Sequence, residues 1–161
     1  MPPKKFKFRL EQMLEMKRRK EEEEQNKLIA LRRELAQEFQ NKATVEQTLV
    51  NVHEELKTKR LTGQLNIAEL RWFPQHIKNL EAKIKYHELR IQELEIKIEE
   101  QKQAVAKAMM ERKAYEKLKE NQKAAFEAEI EAAEALLLDE LATIKFARDA
   151  RAKAEEEQQQ Y

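Results

Sequence analysis

The chain has very few of the residues that make tight turns. Its 161 residues include one glycine and three prolines. Sheets and mixed folds need many turns, which are made mainly by glycine, proline, asparagine and aspartate. Aromatic residues are 6% of the chain and the mean hydropathy is −0.90, so a thick globular core is excluded. We therefore expect an all-α fold with few turns.

Several residue types that carry chemistry are also missing. The chain has no cysteine, which excludes disulfides and thiolate nucleophiles, and no serine, which excludes a Ser-His-Asp triad. A single glycine excludes the phosphate loop and the dinucleotide fingerprint, which need several glycines. The three histidines, His53, His76 and His87, form neither an HExxH pattern nor an i,i+4 pair. We expect no catalytic residue, no metal site and no cofactor.

Charge is abundant but balanced. Charged residues make up 39% of the chain, and 32 basic residues nearly match 31 acidic ones, for a net charge of +1. Because nucleic-acid-binding proteins usually carry a basic excess, we expect no nucleic-acid partner. The most apolar run, residues 135–138, is too short to span a bilayer, and no apolar segment near the N-terminus marks a secretory signal. We expect a cytoplasmic protein without direct membrane insertion.

Residues 60–66 (RLTGQLN) separate two helical patterns. Gly63 can adopt the positive φ that ends many helices. The Asn66 side chain can accept a hydrogen bond from the N–H of Glu69, and the Glu69 carboxylate from the N–H of Asn66. This predicts a single helical-hairpin domain over residues 1–161, with a first helix over about 6–60, a bend at 61–66 and a second helix over 67–155. The basic and aromatic residues 1–9 are interpreted as a solvated helix start rather than a membrane or nucleic-acid contact.

Both patterns have the 3-4 spacing of a coiled-coil seam. The first seam is Leu10, Leu14, Lys17, Glu21, Glu24, Leu28, Leu31, Leu35, Glu38, Lys42, Val45, Leu49, Val52 and Leu56. The second seam is Ile77, Leu80, Ile84, His87, Ile91, Leu94, Ile98, Gln101, Val105, Ala108, Arg112 and Tyr115. The two seams match if facing residue numbers add to about 129, as in an antiparallel hairpin. The polar seam positions then find these partners: Lys42 faces His87, Gln101 faces Leu28, and Lys17 faces Arg112, the last a like-charge contact.

From about residue 122 the second helix has no partner in this register, yet it keeps an apolar stripe. Its members are Phe126, Ile130, Ala133, Leu137, Leu141, Ile144 and Phe146. An uncovered apolar stripe predicts a partner protein. The alternatives are a slip of the register and self-association of the tail.

A second candidate surface lies near the bend. Trp72, Phe73, His76 and Leu80 follow the bend, and Leu49, His53 and Leu56 lie across from them in the same register. Trp72 is the only tryptophan, and tryptophan is common at interface centres. Pro74 removes a helical hydrogen bond, so it predicts a kink or a second helix that begins only near Pro74.

Three segments of the sequence carry a resemblance to a known family. They are residues 6–17 (FKFRLEQMLEMK), residues 111–118 (ERKAYEKL), and residues 138–142 (LDELA) with Phe146. Together they resemble the FliJ family of the bacterial flagellar type III export apparatus. Their order and spacing extend the resemblance over residues 6–149, whereas Pro74 departs from the family pattern. The resemblance implies a long two-helix antiparallel coiled-coil hairpin, with the second helix longer than the first.

The resemblance also implies a function. Family members act as a non-catalytic stalk that promotes assembly and activity of the hexameric export ATPase. They contact the cytoplasmic domain of the export gate and bind export chaperones, at the cytoplasmic face of the inner membrane. On this basis we expect a monomer when alone. ATPase contacts are expected at Phe6, Phe8, Leu10, Met13, Phe126, Ile130, Leu137 and Leu141, and gate contacts at Leu49, His53, Phe73, His76 and Leu80.

Two alternatives stay open at this stage. One is the central stalk of a virulence-type III secretion ATPase, which sequence separates poorly from the flagellar one. The other is a generic coiled-coil tether that dimerises through its tail.

Overall fold

The structure, a computed structural model, describes residues 5–160, and these form two α-helices. Helix α1 spans Glu11–Thr62 and helix α2 spans Ile67–Gln159. No strand occurs within residues 5–160. The predicted all-α hairpin with a longer second helix is therefore confirmed. Residues 1–4, which belong to the basic N-terminal segment, lie outside the described residues.

The described residues divide into two compact units. One comprises residues 17–111 and contains the bend, and the other comprises residues 5–16 and 112–160. Each unit holds a part of both helices. All the predicted seam residues in both units are buried or half-buried, although only some of them are apolar. The single domain predicted over residues 1–161 stays a prediction.

Ion pairs between the helices fix the register of the unit at residues 17–111. Lys17 Nζ lies 3.0 Å from Glu111 Oε2, and Lys59 Nζ lies 2.8 Å from Glu69 Oε1; each pair of residue numbers adds to 128. These values lie within one residue of the predicted 129. One pair joins residues that are one helical turn away from facing positions: His87 Nδ1 lies 2.7 Å from Glu38 Oε2. His87 therefore pairs with Glu38 rather than with the facing residue Lys42.

The bend forms largely as its sequence indicates. Gly63 has a φ of +69°, and the N–H of Gln64 donates to the carbonyl of Lys59 at 3.2 Å, which closes the end of α1. The N–H of Glu69 donates to Asn66 Oδ1 at 2.8 Å, as predicted. The second half of the capping box is wrong, because the Glu69 carboxylate accepts from Lys59 Nζ. A charge-assisted bond to an ammonium group is stronger than a bond to a neutral backbone N–H.

Pro74 lies inside α2, which begins at Ile67. The prediction of a helix that begins only near Pro74 is therefore wrong. The Asn66 cap starts the helix, and a core forms beneath its first turns from Val52, Phe73 and Leu80, against which Leu49 and Ile77 pack. This packing holds α2 helical on both sides of the missing N–H of Pro74.

Charged residues occupy part of the seam at residues 17–111. Glu24 is buried, and its carboxylate lies 3.0 Å from Lys20 Nζ and 3.4 Å from Lys27 Nζ. The Gln101 side-chain amide also donates to the Glu24 backbone carbonyl at 2.9 Å. Lys17, expected in a like-charge contact, instead has Glu111 as an anionic partner. The buried charge of Glu24 is thus compensated.

In the other unit, α1 begins at Glu11, later than the predicted start near residue 6. The N–H of Glu11 donates to the carbonyl of Phe8 at 3.2 Å in a turn that precedes the helix. Leu14 is fully buried, and Glu11 pairs with Lys119 at 2.8 Å. The residue numbers of this last pair add to 130, so the predicted register also holds in this unit.

Candidate functional site

The first candidate surface is an open groove where the N-terminal segment meets α2. The rings of Phe6 and Phe126 lie 5.7 Å apart between their centroids, tilted by 48°. The groove has a volume of about 680 Å³ and is lined by Lys5, Phe6, Lys7, Gln122, Ala125, Phe126 and Glu129. We call it the N-terminal groove. Its aromatic floor and mixed-charge rim suit an apolar side chain from a partner protein.

The second candidate surface is the end of α2, residues 131–160, which we call the tail. All of these residues are described, and each side chain except that of Ala133 is exposed. The exposed apolar side chains are those of Leu136, Leu137, Leu138, Leu141, Ile144 and Phe146. Soluble monomers rarely expose so many apolar side chains in one segment, so the tail has the composition of a contact surface.

The first part of the tail belongs to a segment of one charge sign. Residues 124–144 contain six acidic residues and no basic one. The acidic residues are Glu127, Glu129, Glu131, Glu134, Asp139 and Glu140. Apolar side chains flanked by carboxylates match a partner surface that is apolar at its centre and basic at its rim.

The structure brings together only some of the residues predicted to contact the ATPase. Phe6 and Phe126 meet in the N-terminal groove, whereas Phe8 is buried. Leu10 and Ile130 are half-buried and Met13 is exposed. Leu137 and Leu141 lie exposed on the tail. Two further exposed leucines, Leu136 and Leu138, were missed because a heptad stripe selects one residue per turn; the run of three leucines was their signal.

The third candidate surface lies near the bend. Of the predicted gate contacts, His53 is exposed, Leu49 and His76 are half-buried, and Phe73 and Leu80 are buried in the core beneath them. Phe73 is 1% exposed. Trp72 was noted near the bend but was not among the predicted contact residues, and it is half-exposed. Its ring stacks on that of His76, with centroids 4.5 Å apart and an angle of 17°.

Residues 5–160 show no cluster that resembles a metal site. No group of three or more histidine, cysteine, aspartate or glutamate side chains lies close enough to hold a metal ion in this range. In the same range, no helix is long and apolar enough to cross a membrane.

A family comparison covers most of the chain. The family described as Flagellar FliJ protein matches residues 6–151. The chain belongs to the FliJ family. Comparisons with curated proteins and with solved structures gave no match. As a FliJ-family member, the chain is a component of the flagellar export apparatus and takes part in protein transport.

Proposed function

We propose that this FliJ-family chain is a non-catalytic stalk and adaptor of the export apparatus. In this proposal it promotes assembly and activity of the hexameric export ATPase and links the ATPase to the cytoplasmic domain of the export gate. The observation that carries the proposal is the row of exposed apolar side chains on the tail, where α2 has no packing partner within this chain. An adaptor needs such a surface, because it binds through side chains that its own fold leaves uncovered.

The ATPase contact is assigned to the unit formed by residues 5–16 and 112–160. Phe6 and Phe126 provide an aromatic floor, and Leu137 and Leu141 provide an exposed apolar row. Acidic side chains flank this row, so the matching surface of the ATPase is expected to carry lysine or arginine at its rim. Phe8 is buried, so it is not a contact residue in this proposal.

The gate contact is assigned to the surface near the bend. Leu49, His53 and His76 are accessible there. Phe73 and Leu80 lie in the core below, so they hold the accessible residues in place.

The remaining parts of the proposal follow from the family alone. We place the chain at the cytoplasmic face of the inner membrane, where the export apparatus lies, with export chaperones as further partners and no activity of its own. The exposed faces of both helices provide room for a chaperone.

The test is ATP hydrolysis by the export ATPase, with and without this chain. The full chain is expected to raise both the rate of hydrolysis and the yield of hexamer. A chain cut after Asn121 lacks Phe126 and the tail, so it should raise neither. If both chains act equally, the tail is not the ATPase contact; if neither acts on an ATPase that assembles, the stalk proposal is wrong.

Point variants separate a lost contact from a general loss of apolar surface. Leu137→Asn with Leu141→Asn removes two exposed apolar side chains from the tail. Leu89→Asn with Ile96→Asn removes two that are equally exposed on α2 within residues 17–111. The tail variant should lose stimulation of hydrolysis and the control variant should keep it. Circular dichroism checks that both remain helical.

A further inference from the structure

The bend end of the hairpin concentrates positive charge. Residues 57–72, which face one another around the bend, contain four basic residues and one acidic residue, whereas the whole chain has a net charge of +1. The basic residues are Lys57, Lys59, Arg60 and Arg71, and the next acidic residues, Glu54 and Glu55, lie further from the bend. The one acidic residue, Glu69, lies 2.8 Å from Lys59 Nζ. Lys57, Arg60 and Arg71 are exposed, so three cationic side chains face the solvent around the bend.

The same end exposes large apolar side chains. Leu61 is 79% exposed and Ile67 is 74% exposed, and Leu70 and Trp72 are about half exposed. This exposure does not reflect a poorly formed core, because Leu56, Leu65 and Phe73 pack inside the same end. With a helical rise of about 1.5 Å per residue, Trp72 lies only about 8 Å along α2 from Ile67. The apolar side chains therefore form a shallow cap on the hairpin.

The distribution of these side chains around α2 selects between two kinds of partner. Successive helical residues are rotated by about 100°, so Leu70 and Trp72 lie on nearly opposite sides of α2, with Arg71 between them. A protein pocket would cover one side of the helix and leave the other exposed. A lipid surface receives the whole end, because headgroups and acyl chains surround whatever enters them. Tryptophan and basic side chains are the residues that settle at this interface.

We propose that the bend end adsorbs to a membrane surface that contains anionic lipids. Leu61, Ile67 and Trp72 enter the boundary between headgroups and acyl chains, and Arg60 and Arg71 bind the lipid phosphates. Adsorption places only the bend and the adjoining turns of the two helices in the headgroup region, and the rest of both helices stays in water. It requires no membrane-spanning helix, and it goes beyond the contacts with the ATPase and the gate proposed above.

Trp72 is the only tryptophan, so its fluorescence reports on the bend alone. The full chain is mixed with vesicles of phosphatidylglycerol and phosphatidylcholine in equal parts, and separately with vesicles of phosphatidylcholine. With the anionic vesicles we expect a blue shift of the emission and quenching by lipids brominated on the acyl chain. With phosphatidylcholine alone both effects should be small. Added salt should weaken binding, because it screens exposed charges over a Debye length of about 8 Å at physiological ionic strength.

Charge reversal tests which residues carry the binding. Arg60→Glu with Arg71→Glu leaves Trp72 in place and should lower the partition coefficient on anionic vesicles at least about tenfold. Arg148→Glu with Arg151→Glu makes the same change in net charge at exposed positions of the tail and should leave the partition coefficient unchanged. Leu61→Asn with Ile67→Asn should reduce quenching by the brominated lipids. Circular dichroism confirms that each variant is folded.

Three outcomes would overturn the proposal. The first is an unchanged Trp72 emission with anionic vesicles. The second is an equal loss of binding in the bend and tail variants, which would indicate net charge or another basic segment. The third is an absence of vesicle binding while Arg60→Glu with Arg71→Glu weakens binding to the cytoplasmic domain of the gate, which would assign this surface to an acidic protein. None of these outcomes bears on stimulation of the ATPase, so the stalk proposal stands or fails separately.

Discussion

The chain reverses direction at Gly63. Glycine is favoured at this position because of the backbone conformation, and not because neighbouring atoms leave too little room for a side chain. Its φ is +69°, and a Cβ added there would have no atom within 4 Å. A substitution therefore introduces no steric clash with neighbours. Its cost comes from the left-handed conformation, which is unfavourable for residues with a Cβ.

Gly63→Ala is expected to lower the free energy of unfolding by about 1 kcal/mol, because alanine in the left-handed region costs about 1–2 kcal/mol. The measurement is urea unfolding followed by circular dichroism. Gly63→Asn is the control at the same position, since asparagine tolerates this conformation better than alanine. An asparagine variant as destabilised as the alanine variant would show that the backbone conformation is not the cause.

Glu24 links stability to pH. A hydrogen bond from Lys20, followed by one from Gln101, lowers the pKa of Glu24 to about 2 from its ordinary value of 4.5. Between these values the unfolded chain binds a proton that the folded chain does not, so falling pH favours unfolding. The contribution of Glu24 is fully present above pH 4.5 and is lost as the pH falls toward 2.

Glu24→Gln should therefore be less stable than the original chain at neutral pH, with a difference that shrinks as the pH falls from 4.5 toward 2. Urea unfolding over this pH range measures the difference. Glu23→Gln, at an exposed position of the same turn, should show a much smaller change with pH. A difference for Glu24→Gln that stays constant down to pH 2 would contradict the assignment.

At the scale of single residues, the sequence predicts hydrogen bonds between near neighbours in the chain better than bonds that form across the hairpin. The Asn66 cap was predictable because it joins residues three apart. The partner of the Glu69 carboxylate was not, because Lys59 approaches it only once the hairpin has closed. The same holds for His87 and Glu38, which are far apart in sequence and one helical turn from facing positions. Competition between partners is decided by tertiary structure.

The two helices are held together by their seams, and burial there predicts a strong dependence on side-chain size. Leu94 is 0% exposed, and Leu89, on the same helix, is 52% exposed. Leu94→Ala is expected to lower the free energy of unfolding by about 2–5 kcal/mol, because it leaves a cavity. Leu89→Ala, the matched control, should change it by less than about 0.5 kcal/mol. Equal effects in urea unfolding would show that the seam is misassigned.

At the scale of the elements, the register was predictable and the effect of Pro74 was not. Apolar periodicity fixes which residues of each helix face inward, and the position of the bend then fixes which of them face one another. Together these two features of the sequence determine the register of the hairpin. Pro74 was judged by its own missing N–H. Its helix survives because the cap at Asn66 and the core around Phe73 stabilise the turns on both sides of it.

For the whole molecule, the existence of an uncovered tail followed from arithmetic, but its start did not. The prediction that α2 has no partner from about residue 122 is wrong, because the ring of Phe126 lies 5.7 Å from that of Phe6 and Ile130 is half-buried. The first helix is shorter, so the second must continue without a partner, and the exposure of residues 131–160 agrees with this. The partners themselves cannot be predicted in this way, because an apolar row specifies that something binds but not what. Likewise, the sequence does not show which predicted gate contacts are accessible. That depends on which side chains the core buries, and Phe73 is one of the buried ones.

The state of association separates a stalk from a tether. A tether would dimerise through the exposed leucines of the tail, but side-by-side pairing of two tails would bring together two segments that each carry six acidic and no basic residues at positions 124–144. Like charges at such distances repel, and salt screens the repulsion.

Light scattering should therefore find a monomer at low micromolar concentration and low salt, with any association increasing as salt is added. Leu137→Asn with Leu141→Asn should abolish that association, whereas Leu89→Asn with Ile96→Asn should not. A tight dimer at low salt would favour the tether over the stalk, because the tail would then be occupied before any ATPase could bind it.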